Sequence, residues 1–433
     1  MKHLSAQDIR QILLSTIDSL LDQRNSFINS PNSAFTRTKK ISFRQTIFFP
    51  MLAGSDNAAS ELLDFFDEKS LPLPSAMIQR RNQIKSEAFK ELFVQFTKHI
   101  PKLRSFKGYQ LAACDGSRIN LPYNPSDPDT FIQCIDGRKG INQIHMNALY
   151  DPLNDIFLDV VLQGIHDLHE QDAFTSFLDK HSHETQKRIY IADRGYASYN
   201  IFAHAIHNHQ RFLIRVRQEF FKGISPDSDK WLASSSVDQE VIVNIGRRRT
   251  KGLGKLENYH NIPPARPYDF ITPGSNDTDC LKLRVLKFKI AENTYEYIVT
   301  NLPKRIFSID EIKALYHLRW GEETAFRHLK YAGNMVHIHS LKKELLLQEI
   351  YGKLTMYNFS SWLSASLCPS GRNTDKYHYS VNHTQLQKIC LRFLRGSITD
   401  VATLILRFLV PVRPGRSFKR CLRRQSADTL GYR

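Results

Sequence analysis

The chain contains no run of eighteen or more apolar residues among its 433, which excludes a helical membrane span. Its opening stretch, MKHLSAQDIRQILLSTIDSLL, lacks the apolar h-region and small-residue cleavage site of a signal peptide and reads as an amphipathic helix. The expected setting is soluble and intracellular, with no membrane partner. Cysteine is scarce: Cys114, Cys134, Cys280, Cys368, Cys390 and Cys421 are scattered and form no C-x-x-C pair. Zinc ribbons and dithiol redox motifs are thereby excluded, leaving the expectation of reduced, mostly buried thiols. Acid is also short, since 43 Asp+Glu face 60 Lys+Arg for a formal charge of +17. That excess favours a polyanionic partner, nucleic acid first.

What is present begins with the basic residues. They gather in TRTKKISFR, QRRNQIK, GRRRTKGLGK and RPGRSFKRCLRR. Any one cluster alone is an ordinary solvated surface; four of them on a +17 chain point to DNA or RNA. A hydrophobic content of 41% fits globular packing, and the length suggests two to four domains.

Residues 1–105 read as helical, with apolar residues at three- and four-residue spacing around 9–21, 58–66 and 89–96. A Pro-marked turn followed by Gln79, Arg80, Arg81 and Lys85 fits a helix-turn-helix DNA reader, and fits a plain helical bundle as well. The pattern then changes. YQLAACDGSRINLP reads as a buried strand ending in a turn at Asp115 and Gly116. QIHMNALYDPLNDIFLDVVLQG gives two strands joined at 151–154, and a helix burying Ala173, Phe174, Phe177 and Leu178 follows. RIYIADRGYAS repeats the strand-then-Asp pattern at Asp193, before a helix with Ile201, Phe202, Ala205 and Ile206 and a fifth strand, RFLIRV.

Three strands, helix, strand, helix, strand is the element order of a ribonuclease-H-like fold. In that fold the first and fourth strands are parallel neighbours, so Asp115 and Asp193 would converge at the carboxyl edge of the sheet. Residues 217–305 read as a β-rich inserted subdomain, and Ser308 and Glu311 form a capping box that starts a further helix. The expected architecture is α/β. It comprises a helical DNA-binding domain (1–105), a ribonuclease-H-like mixed sheet with helices (106–216 and 306–375) interrupted by the insertion, and a basic C-terminal region (376–433).

The helix after the insertion reads YHLRWGEETAFRHLKY. At about 100° per residue Tyr316, Arg319, Glu323 and Lys330 fall within roughly 60° of arc, beside an apolar arc of Leu315, Leu318, Ala325, Phe326 and Leu329. By itself this is an amphipathic helix with a solvated charged face. Together with two strand-end aspartates, Glu323 completes the carboxylate set expected for two Mg²⁺ ions, with Mn²⁺ able to substitute, in phosphoryl transfer.

The chain resembles DDE transposases of the fourth bacterial insertion-sequence family, whose helix signature is Y-x2-R-x3-E-x6-K. Tyr316, Arg319, Glu323 and Lys330 match that signature, DGS at Asp115 and DRGY at Asp193 match its aspartate motifs, and TNLP and QEIYGKLTMYN lie in corresponding places. The resemblance implies a metal-binding catalytic triad of Asp115, Asp193 and Glu323, with Tyr316, Arg319 and Lys330 holding DNA near the cleaved end. Trp320 and Arg194 are further candidates for DNA contact. It also implies cut-and-paste transposition through a hairpin intermediate, double-stranded transposon ends and target as partners, a homodimer in the paired-end complex, and action at the nucleoid in a bacterial cytoplasm. A metal-dependent nuclease without strand transfer and a non-cutting regulator derived from a transposase are the alternatives. One departure is Glu322, which stands where the family often has an apolar residue and falls in the apolar arc. Tyr295 or Tyr297 could serve as an aromatic wedge for a flipped base, though alternating strand aromatics usually pack.

Overall fold

The computed structural model describes residues 4–36, 40–134, 139–250, 252–367 and 378–412. The basic tail from Arg413, Cys368, Cys421 and part of TRTKK lie outside those residues.

Ten strands form one mixed sheet: β1 (Gln110–Leu121), β2 (Phe131–Ile132), β3 (Ile141–Asp151), β4 (Ile156–Gly164), β5 (Arg188–Ala192), β6 (Arg211–Val216), β7 (Val237–Gly246), β8 (Tyr259–Asn261), β9 (Thr278–Ala291) and β10 (Thr294–Thr300). Their order is β2-β3-β1-β5-β6-β10-β9-β7-β8, with β4 also paired to β3. β1, β5 and β6 run parallel. Their apolar runs are buried on both faces, as parallel strands covered by helices require.

Two expectations change here. No turn follows Asp115: β1 continues to Leu121 because it stays paired with β3 on its other side, from Ala113↔Tyr150 to Leu121↔Asn142. Only its pairing with β5 stops, at Cys114↔Ala192. Nor do the strands of 217–305 form a sheet of their own, since β10 pairs antiparallel with β6 and carries β9 and β7 outward in the same sheet.

Before the sheet, the described residues hold the helices α1 (Ala6–Asp22), α2 (Arg24–Phe27), α3 (Phe43–Leu52), α4 (Ala58–Phe65), α5 (Pro74–Arg81) and α6 (Ser86–His99). Capping boxes at Ser5/Asp8 and Ser42/Gln45 start α1 and α3. Between strands lie α7 (Glu170–Lys180), α8 (Tyr199–His207), α9 (Gln218–Gly223) and α10 (Ser228–Ala233). Phe174, Phe177 and Leu178 of α7 and Ile201, Phe202 and Ala205 of α8 enter a core on one face of the sheet. On the opposite face lie α11 (Ile309–Leu318) and α12 (Trp320–Arg327), with α13 (Lys343–Leu367) behind them.

Helix α13 is buried almost all round, the mark of a helix inside a domain. Its Ile350, Leu354 and Trp362 share one core with Leu13, Phe89 and Phe96 of the N-terminal helices and with Met146 and Phe157 of the sheet. The last described residues form α14 (His383–Leu394), α15 (Val401–Arg407) and a small ribbon of β11 (His378–Ser380) and β12 (Val410–Val412).

The arginines suggested as DNA readers on α5 point inward. Arg80 donates to the Ile41 carbonyl from Nε (3.1 Å) and Nη2 (2.8 Å), while its guanidinium lies 3.9 Å from the Phe35 ring centroid. Arg81 is buried against α13, donating to Gln348 (3.1 Å), the Leu345 carbonyl (2.8 Å) and Glu349 (3.2 Å). Desolvating two arginines is costly unless every donor finds an oxygen, and these contacts supply them. Arg247 of GRRRTKGLGK is likewise buried, donating to the carbonyls of Tyr268, Pro264 and Arg266. The described cysteines are free, but only Cys114 and Cys390 are buried; Cys134 is partly exposed and Cys280 exposed.

Candidate active site

The parallel pairing of β1 and β5 sets the site. Cys114 faces Ala192 in register, so Asp115 and Asp193 are the next residue on each of two neighbouring strands, at the carboxyl edge where open α/β sheets carry their sites. Side chains alternate along a strand. Leu111 packs with the α11 core, while Ala112 and Cys114 pack with α7 and α8. Asp115 is thereby directed toward α11 and α12. Each aspartate is held the same way at Oδ1, which accepts the Gly116 amide at Asp115 (2.8 Å) and the Gly195 amide at Asp193 (2.7 Å).

From the other side comes the α11–α12 run, started by the Ser308/Glu311 capping box. The run is not one regular helix. At Arg319 it tightens, with i to i−3 bonds from Arg319 to Tyr316 (3.1 Å) and from Glu322 to Arg319 (3.0 Å). It then widens into a π-turn over His328–Ala332. Such interruptions are common where a helix presents functional groups. Arg319 stays on the same face as Glu323: its Nη1 lies 3.3 Å from Asp115 Oδ2 and its Nη2 3.6 Å from Glu323 Oε1.

Electrostatics tie the group together. Burial raises the Asp115 carboxyl, the Gly116 amide and Arg319 pull it down, and the charges of Asp193 and Glu323 push it up again. Asp115 therefore feels both Asp193 and Glu323 as like charges. Burial works against the Arg319 charge, yet Tyr316, Asp115, Glu322 and Asp193 outweigh it and raise its pKa. The guanidinium also lies 4.9 Å from the half-exposed Trp320 ring.

Glu322 and Glu323 separate cleanly. Glu323 is exposed on the Arg319 side, whereas Glu322 is fully buried with neither carboxylate oxygen hydrogen-bonded among the described residues. Burial, with Asp115 nearby, pushes the Glu322 carboxyl well above its ordinary range. Tyr316 is only 2% exposed and its hydroxyl has no hydrogen-bond partner among the described residues, so it backs Arg319 rather than standing open to a phosphate. Lys330 lies on the π-turn, half-buried, and burial lowers its pKa. Arg194 is exposed beside Asp193.

Among the described residues no three His, Cys, Asp or Glu side chains stand close enough to hold one metal ion. Arg319, between Asp115 and Glu323, supplies the positive charge there. In donor chemistry the three carboxylates do fit a hard divalent cation. Tyr295 lies 4.3 Å from the Lys287 ammonium, and Tyr297 is nearly buried against Phe221. Both pack.

The sequence gives no sign of a second group reaching this edge, His145 with Glu170 and Gln171, because the contacts link separate elements whose residues carry no shared motif.

Residues 106–359 match the profile of the family described as "Transposase DDE domain". The chain is also similar to a piggyBac transposase, whose structure was determined by cryo-EM as a synaptic complex with hairpin DNA. Identity is 10% and the TM-score 0.47, over 91% of this chain and 80% of that one. No curated protein matches the chain.

Proposed function

Because the chain belongs to the DDE-domain transposases, we propose that it is a cut-and-paste transposase of the fourth bacterial insertion-sequence family, cleaving and joining DNA at terminal inverted repeats. The observation that carries this reading is Arg319 set between Asp115 and Glu323, with Asp193 at the end of the strand beside Asp115. Support comes also from the β4-β3-β1-β5-β6 half of the sheet, whose order is that of ribonuclease-H-like catalytic domains. Within the Y-R-E-K spacing, the Arg319–Glu323 pair, 3.6 Å apart despite the interrupted helix, supports the reading.

Asp115, Asp193 and Glu323 are assigned as holders of divalent metal, Mg²⁺ or in its place Mn²⁺. Bound there, two ions would activate the attacking oxygen and stabilise the leaving one. The protein's own residues do the rest. The Gly116 and Gly195 amides fix Oδ1 of each aspartate, and Asp115 Oδ2 faces Arg319. Arg319 offsets the carboxylate charge and is free to pass from carboxylate to DNA phosphate, since a guanidinium serves both. Lys330 and Arg194 flank the strand with positive charge, and Trp320 offers a ring to a base or sugar.

The partners are double-stranded transposon ends and target, bound by a homodimer in a paired-end complex at the bacterial nucleoid. Among the described residues no helix is long and apolar enough to cross a membrane. DNA carrying the element's ends, incubated with the full chain and Mg²⁺, tests the reading. Cleavage followed by joining to a target plasmid supports it. Cleavage without joining gives a nuclease, and binding without cleavage a regulator.

A further inference from the structure

The first turn of α7 reaches the stretches that follow both aspartates, strand β1 at Gly116 and the Asp193 turn, from the rear face of the sheet. Glu170, the first residue of α7, places Oε1 3.1 Å from Nε2 of His145, a buried residue of β3. The His145 ring lies against Gly116. A β-carbon at 116 would stand 2.4 Å from His145 Nε2 and 2.8 Å from Glu170 Oε1, so this contact requires glycine. The next residue, Gln171, donates from Nε2 to the Gly195 carbonyl at 3.0 Å. Gly195 is the residue whose amide holds Asp193 Oδ1, as Gly116 holds Asp115 Oδ1.

Strand alternation makes this arrangement possible. Asp115 is directed to the α11–α12 face and Gly116 to the α7 face, so the rear contact cannot obstruct the front. Helix α7 is itself firmly seated, because Phe174 packs edge-on against Tyr190 of β5 (6.2 Å) and against Tyr196 in the Asp193 turn (5.4 Å). Two consecutive residues of one anchored helix thus brace the glycines that hold the two aspartates, Glu170 through the His145 ring packed on Gly116 and Gln171 by its bond to Gly195.

Resting on the assignment of Asp115 and Asp193 as the reacting centre, we propose that His145, Glu170 and Gln171 are positioning residues, a clamp on the back of the sheet that fixes the separation of the two carboxylates. Reacting groups displaced by even an ångström lose rate steeply. Groups that orient metal-holding residues typically matter about 10- to 100-fold in metal affinity or activity.

The test uses the full chain with end DNA and compares wild type, Glu170→Gln, Gln171→Ala, the double variant and Asp115→Asn. Mn²⁺ binding to each protein–DNA complex is read from the free-Mn²⁺ electron paramagnetic resonance signal, beside melting temperature, gel shift and the Mg²⁺ dependence of single-turnover cleavage. The clamp predicts that the double variant melts and binds DNA like wild type. Its Mn²⁺ affinity falls about tenfold or more, and raising Mg²⁺ restores part of its lost cleavage. Wild-type Mn²⁺ affinity and Mg²⁺ dependence in the double variant, whatever its melting temperature, would overturn the proposal. If wild type binds Mn²⁺ and Asp115→Asn binds it equally well, the carboxylate assignment itself fails, and the clamp fails with it.

Discussion

Arg319 Nη1 lies 3.3 Å from Asp115 Oδ2, joining a strand and a helix 204 residues apart. The contact fixes where the helical run meets the sheet, and it places a positive charge that offsets Asp115 between the Asp115 and Glu323 carboxylates. With Arg319 buried and Asp115 partly so, loss of the guanidinium leaves a desolvated carboxylate without its partner. Arg319→Ala should therefore destabilise the protein by about 2 kcal/mol, the scale of a hydrogen bond between charged groups. It should also abolish cleavage, with Arg319→Lys intermediate in both because it keeps the charge but not the fork. Urea unfolding and a cleavage time course check this. Equal activity in Arg319→Lys and wild type would remove the guanidinium geometry from the account.

Glu322 gives a pH prediction with a definite sign. Its folded pKa is raised well above the unfolded value, first by burial and then by Asp115. Below the ordinary glutamate range, about 4.3, both states are protonated and the group costs nothing. As pH rises above that, the unfolded state releases the proton while the folded state retains it, and stability falls until the folded pKa is reached. Glu322→Gln removes the loss. The variant should be more stable than wild type at pH 7, the difference should vanish near pH 4, and cleavage should persist. Chemical denaturation at both pH values measures it; no pH dependence of the difference would mean that Glu322 is not held protonated.

Arg81 tests the N-terminal helices. Its buried contacts to Gln348, Leu345 and Glu349 tie α5 to α13, and breaking a buried pair by removing one partner costs about 3–5 kcal/mol. Arg81→Met should lower the melting temperature substantially while leaving DNA affinity unchanged well below that temperature. A gel shift at low temperature that weakens with no loss of stability would return Arg81 to the DNA surface.

Local signals were legible in the sequence where they are complete within one element. The Ser308/Glu311 capping box, the apolar quartet of α7, the Asp that follows a buried strand at 193, and the i, i+4 relation of Arg319 and Glu323 all lie in short stretches whose periodicity fixes the face. Pairings across the chain were not. Arg81 reads as a basic surface residue until Glu349, 268 positions later, arrives beside it. The continuation of β1 past Asp115 is fixed by its register with β3, which no single strand encodes. The joining of β10 to β6 escapes sequence for the same reason. The tightening at Arg319 and the π-turn at 328–332 escape a reading that assumes a constant 100° per residue. Tyr316 illustrates the consequence: its place in the stripe is right, yet its hydroxyl is buried.

The central claim is that Asp115, Asp193 and Glu323 form one catalytic centre for DNA cleavage and joining. The most direct measurement is a side-by-side nicking time course on end DNA with Mg²⁺ for wild type, Asp115→Ala, Asp193→Ala and Glu323→Gln, each matched by a gel shift and a melting curve. Wild type should nick and then join, and all three variants should fold and bind the end with cleavage reduced at least about 1,000-fold, as loss of one member of a catalytic set that acts as a unit implies. Near-wild-type nicking by any one of the three would contradict it.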